Sequence, residues 1–176
     1  MRLNEIFLPE FDQSMATTRK FSDPVPDDKF AWKPHEKPMS SGALVAHLAE
    51  MPGWAVLPLK QDSLDRAPPA GPSFQPTKTS SRGETLNLFD KDIATVRNAI
   101  ASATDEELMK PWALLMGGQV IFTMPRIGVV RSMIMNHNVH HRAQLGVIYV
   151  RLNNVPVPAT HGPSADESCA GWGIRV

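Results

Sequence analysis

Sixteen prolines in 176 residues decide where helix can run, because proline lacks the N–H that the fourth preceding carbonyl needs and its ring crowds that turn. Pro24, Pro26, Pro34 and Pro38 hold "DPVPDDKFAWKPHEKPM" out of helix, and "DRAPPAGPSFQPTKTS" is excluded in the same way. Both read as long connectors, the first pinned to the core by Trp32. Between the connectors, apolar residues recur at helical spacing.

The first helix is predicted from about Pro9 to Phe21 on Phe7, Phe11, Met15, Thr18 and Phe21, with Pro9 tolerated only near its start. Ser40 or Ser41 caps a second, carrying Leu44, Val45, Leu48, Met51 and Val56 and kinked at Pro52. "SRGE" at Ser81 to Glu84 has capping-box spacing, and Leu86, Phe89, Ile93, Val96, Ile100 and Ala103 follow as an amphipathic stripe. Thr104 and Glu107 suggest a second box over a short turn. "PWALLMGGQVIFTMP" offers two apolar runs about Gly117 and Gly118, a small β-hairpin. From Pro125 to about Leu152 the stripe is Val130, Ile134, His137, His141, Leu145, Ile148 and Leu152, the fourth helix. The expected fold class is all-α: an antiparallel four-helix bundle with long connectors and a small hairpin, one domain over residues 1–176.

Composition removes several function classes. Eighteen Lys plus Arg balance eighteen Asp plus Glu, so no net positive field gathers phosphate backbones or anionic lipid. No basic run, Gly-rich phosphate loop or zinc-finger cysteine set occurs, so neither nucleic acid nor a membrane is an expected partner. The N-terminal "MRLNEIFLPEFDQ" carries acidic residues where a signal peptide needs an apolar stretch, and no run of about 18 apolar residues appears. Cys169 is the single cysteine, which excludes an internal disulfide and fits a reducing, cytoplasmic address.

The chemistry concentrates in "MNHNVHHRAQ". His137 and His141 are four apart, hence on one helix face and on the apolar stripe. A ring there loses water, so each nitrogen needs a hydrogen bond, a charge partner or a metal. A divalent cation serves both, imidazole being a favoured ligand of zinc, nickel, copper and iron. A third ligand must come from another helix, for which His47 is the first candidate, with His35 and His161, both in proline-bounded loops, ranked behind it. The HExxH glutamate of zinc proteases is absent. His140 is rotated away from His141, Arg142 and Gln144 are expected to make helix or subunit contacts, and Asn138 to support a ligand. Paired core histidines held by hydrogen bonds alone, or a chance surface cluster, are the alternatives.

The segment "FAWKPHEKPMSSGALVAHLAEMPGW", followed by "MNHNVHHRAQLGVIYVRLNNVPVPATHGPSADE", resembles the DinB-like (YfiT-type) family of metal-dependent four-helix-bundle proteins over nearly the whole chain. Many relatives have glycine where Ala143 stands. The resemblance implies that His47, His137 and His141 bind one divalent transition metal, zinc, nickel or iron, and that the chain is a homodimer. The apolar run from Trp112 to Met124 is the expected dimer surface. Similar families are thiol S-transferases using low-molecular-weight thiols, which implies thiol transfer to a small electrophile as the activity. The alternatives are metal-dependent hydrolysis, which an open three-histidine site can also support, and a non-catalytic, metal-stabilised binding module. Glu50, one turn after His47, is the candidate general base or the group that orients a ligand.

Overall fold

Four long helical segments carry most of the chain in the computed structural model, which describes residues 1–71, 75–160, 162 and 164–166. The first is α1 (Leu3–Ser22). It begins well before the expected start near Pro9, because a distant carboxylate caps it: Leu3 N–H donates to Asp105 Oδ1 at 2.8 Å, and Arg2 N–H to Glu5 Oε2 at 2.9 Å. Pro9 therefore lies inside the helix, where it forfeits one backbone hydrogen bond.

The second segment is α2 (Ser41–Glu50), capped by Ser40 Oγ on the N–H of Ala43. At Pro52 the chain tightens to a 3₁₀ turn (Met51–Ala55) and resumes as α3 (Val56–Lys60), the expected kink. The third is α4 (Arg82–Ser102), whose Ser81 Oγ accepts from Glu84 N–H. Its return arm comes from Ser80, whose N–H and hydroxyl both donate to Glu84 Oε2. The capping box of Thr104 and Glu107 is complete and opens the short α5 (Asp105–Met109).

The isolated hairpin is corrected to a three-stranded sheet of order β1-β2-β3, built from β1 (Ser63–Asp65), β2 (Pro111–Met116) and β3 (Gln119–Pro125). β2 and β3 are antiparallel, joined through Gly117 and Gly118 at φ +61° and +80°, a conformation glycine adopts without penalty. β1 adds parallel to β2. The Asp65 carboxylate ties it there by accepting the N–H groups of Gly117 (3.0 Å) and Gly118 (2.7 Å). Burial is the largest single influence on its pKa and raises it, but the N–H groups of Ala67, Gly118 and Gly117 together outweigh that and hold it below the usual carboxylate range.

The fourth segment runs through α6 (Arg126–Gly128), a π-helical stretch (Val129–Met135), α7 (Asn136–Gln144) and a second π-helical stretch (Leu145–Val150). A π turn holds one residue more than an α turn, so the buried line departs from the predicted stripe. Ile148 and Leu152 are exposed, whereas Asn138, Arg142, Tyr149 and Val150 are buried.

α1, α2, α4 and the fourth segment pack on one another around two apolar clusters. One gathers Phe7, Phe11 and Met15 of α1 with Ala49, Met51, Phe89, Val96, Ile100, Val130 and Ile134. The other joins Phe21, Leu44, Val45 and Leu48 to Leu145, Tyr149 and Val150. Gly146 is required there, since a Cβ would collide with the Phe21 ring. α7 crosses between the clusters, and its buried polar groups form one chain. Arg142 Nη1 donates to Ser14 C=O (2.8 Å) and to Thr18 Oγ1 (3.2 Å), the Thr18 hydroxyl to Asn138 Oδ1 (2.5 Å), and Asn138 Nδ2 to Leu48 C=O (3.1 Å). Among the described residues no helix is long and apolar enough to cross a membrane.

Asn138 is fully buried, and Asn138→Ala strands the Leu48 carbonyl, whereas the Thr18 hydroxyl keeps the Ser14 carbonyl as an acceptor at 3.1 Å. Urea unfolding should show a loss of about 1–3 kcal/mol, the cost of one uncompensated buried carbonyl. A loss under about 0.5 kcal/mol, the range of surface substitutions, would mean water or relaxation replaces the bond to Leu48.

Candidate metal centre

His47 lies in the last turn of α2, one turn ahead of Pro52, and His137 and His141 occupy successive turns of α7. The fold brings all three together. Ring centroids are 4.7 Å apart for His137 and His141, 4.9 Å for His47 and His141, and 5.4 Å for His47 and His137. One nitrogen from each ring can be chosen so that all three lie within 4.8 Å of one another. Each ring is only partly buried, so the cluster stands at the edge of the helix packing.

The hydrogen bonds set the tautomers. Gln144 Oε1 lies 2.7 Å from His141 Nδ1; as an acceptor it places the proton on Nδ1 and leaves Nε2 bare. That Nε2 is 2.9 Å from His137 Nε2, so one imidazole donates to the other. Gln144 is a correction: the sequence assigns it to helix or subunit contacts, but it orients His141. Its i+3 spacing is the signal that could have found it. Asn138 and Arg142 lie behind the cluster in the buried polar chain. Burial also pulls the Arg142 guanidinium pKa down.

Glu50 is 5 % exposed. Its Oε2 accepts Thr77 N–H at 2.7 Å and its Oε1 stands 3.6 Å from His47 Nδ1. The Trp54 ring sits edge-on to His47 at 5.5 Å. His140 is exposed, its ring 5.0 Å from that of His141, and is not part of the three-nitrogen group. His35 is exposed in the first connector, where its Nδ1 accepts Lys37 N–H. His161 and Cys169 lie outside the described residues.

Electrostatics keep the α7 pair neutral. Burial, then the proximity of His141, His47 and His140, pushes the His137 pKa down to about 4. Burial likewise lowers that of His141, against the Gln144 hydrogen bond. Neutral imidazole is the metal-binding form. Three imidazole nitrogens within 4.8 Å of one another, that of His141 left bare by its tautomer, are a donor set that fits a divalent transition metal.

A family model of the DinB superfamily matches residues 10–145. Among solved structures, a DinB-like protein of Bacillus subtilis superposes with a TM-score of 0.66 at 20% identity, covering 87% of this chain and 95% of that one. A DinB-like protein of Bacillus cereus gives 0.67 at 18% identity, with 89% and 97% covered. No curated protein matches the sequence.

The lowered His137 pKa has a defined sign. Between about 4 and the ordinary value of 6.5 the unfolded chain binds the proton that the folded one refuses, so stability is complete above this window and is lost as pH falls through it. Melting temperatures recorded with chelator from pH 7 to 4 should fall more steeply for wild type than for His137→Asn. Parallel profiles would show that the fold does not hold this ring neutral.

Proposed function

This chain belongs to the DinB superfamily, and we propose that His47, His137 and His141 together hold one divalent transition metal, zinc, nickel or iron, in a centre that transfers a low-molecular-weight thiol to a small electrophile. The observation that carries this reading is the meeting of three imidazoles from two helices, with donor nitrogens within 4.8 Å. Three protein ligands are the complement of catalytic zinc sites, which keep a position for substrate, whereas structural sites close with four. Such a metal supplies Lewis acidity that makes a thiol deprotonate near neutral pH.

The chain's own residues do the rest. Gln144 holds His141 in one tautomer, and the depressed His137 pKa keeps that ring available at neutral pH. In the proposed step the thiol proton passes to solvent, a sulfur–carbon bond forms, and the leaving group departs with its electron pair. The four long helical segments act here as one antiparallel bundle, with a cytoplasmic address. A second copy of the chain is the proposed partner. Met116, Val120 and Ile121 are exposed, and among the described residues β3 has a strand neighbour on one side only, leaving an apolar edge for self-pairing.

Calorimetric titration with zinc and nickel tests the site. Replacing any of His47, His137 or His141 with Ala should weaken binding more than about 100-fold, beyond the 10- to 100-fold typical of losing a ligand's hydrogen-bond partner, while His140→Ala stays near wild type. Metal at a thousandfold excess over Kd adds about 4 kcal/mol to the folded state, so chelator should lower the melting temperature of wild type and His140→Ala and barely move the three ligand variants. Retention of tight binding by His47→Ala would remove it from the set. Turnover is assayed with several thiols and electrophiles; metal-loaded protein inert to all of them, yet stabilised by metal, would make the centre structural.

Sedimentation tests the partner. Wild type should run as a dimer and Ile121→Lys as a monomer. A wild type that stays monomeric at high concentration would overturn the pairing.

A further inference from the structure

Glu50 carries a buried oxygen that nothing among the described residues satisfies: Oε1 has no hydrogen-bond partner, although Oε2 is held by Thr77 N–H at 2.7 Å. A native fold rarely leaves a carboxylate oxygen so placed without a use. The group it faces is His47 Nδ1, at 3.6 Å, just beyond hydrogen-bond range. Asp92 of α4 shares this pocket: its pKa is raised by burial and by the Glu50 charge, against the pull of Lys91, and its side chain packs on Gly53. The Glu50 carboxylate is thus seated between a connector and a ligand candidate, with one oxygen committed to the connector and the other aimed at the imidazole.

We infer that Glu50 is a positioning residue: its Oε1 takes the Nδ1–H of His47 and so presents His47 Nε2 to the metal, while Thr77 fixes the carboxylate from the far side. This rests on the metal reading above. A ligand imidazole that binds through Nε2 must carry its proton on Nδ1, and such a proton is nearly always given to a carboxylate, a carbonyl or water. His141 already has the equivalent arrangement with Gln144. Assigning Glu50 the same service to His47 accounts for the stranded oxygen and for the anchoring of a proline-rich connector on α2 beside the cluster. Of the two roles open to Glu50 in the sequence, general base and orientation of a ligand, it selects the second, since both oxygens are then engaged.

The test uses the full chain, zinc alone as probe, and two readouts. In calorimetric titration Glu50→Ala should weaken zinc binding 10- to 100-fold, whereas Glu50→Gln, which keeps an acceptor oxygen, should recover most of that loss. If Glu50→Ala fails to fold, Glu50→Asp, with the carboxylate withdrawn by one methylene, should lose about tenfold instead. ¹⁵N NMR of the metal-free protein should find His47 in the Nδ1–H tautomer in wild type and Glu50→Gln, and in a mixture in Glu50→Ala or Glu50→Asp. A purely structural Glu50 would lower the melting temperature and leave tautomer and affinity unmoved. Wild-type zinc affinity in Glu50→Ala, or an unchanged His47 tautomer in it, overturns the assignment. If wild type binds no zinc, the metal reading fails, and the tautomer readout still decides for or against the Glu50 bond.

Discussion

One side-chain amide joins the two helices that supply the imidazoles. Pro52 has no N–H to return to the carbonyl four residues earlier, Leu48 C=O, and Asn138 Nδ2 makes that bond instead. Leu48 follows His47 and Asn138 follows His137, so the bond that repairs the proline kink also sets the spacing between two of the three rings. The repair is itself held in place: Thr18 of α1 donates to Asn138 Oδ1, and Arg142 donates to Thr18 and to the Ser14 carbonyl. A buried chain of this kind stabilises only when every member is satisfied. It therefore tolerates one relative placement of α1, α2 and α7 and penalises the others.

That rigidity bears on the cost of crowding imidazoles. Rings this close repel as cations, and partial burial strips water from them, so the folded state opposes protonation. Apolar residues would pack there without such opposition. The two neighbouring apolar clusters, one on each side of α7, supply the stability that lets the centre of the molecule hold polar groups. The proposed metal adds to this, since a ligand bound only by the folded state stabilises it by mass action.

Much of this was legible in the sequence where the signal is local. The caps at Ser40, Ser81 and Thr104 follow from spacing, as does the break at Pro52, because each depends on residues within one turn. The meeting of His47 with His137 and His141 was legible in two parts: i,i+4 pairing fixes two rings, and among His47, His35 and His161 the family resemblance implies His47 as the third. What escaped depends on distant partners. The start of α1 is set by Asp105, about a hundred residues away. β1 is three residues long and is held by Asp65 on the turn between β2 and β3, for which no alternating pattern exists. Gln144 looks like an ordinary polar helix position until the ring it faces is placed, and Glu50, singled out by its spacing from His47, shows which role it fits only then.

The phase of the fourth segment is the remaining step. A regular α-helix through Val130 and Ile134 would carry His137, His141, Leu145, Ile148 and Leu152 along its buried line. Both histidines would then be enclosed, and Asn138 and Arg142 would turn away from α1 and α2. The π-helical stretches on either side of α7 each advance the inward line by extra residues. Asn138 and Arg142 take the enclosed positions, Tyr149 and Val150 replace Ile148 and Leu152 in the core, and the two histidines rotate to the half-exposed edge facing His47. Imidazoles sealed in the core could hold a metal but offer it to no substrate; at the edge they combine fixed geometry with access. The wide turns thus convert a helix whose pattern would bury its histidines into one that presents them. They do so by changing phase, leaving the buried polar chain beneath the rings to keep them in place.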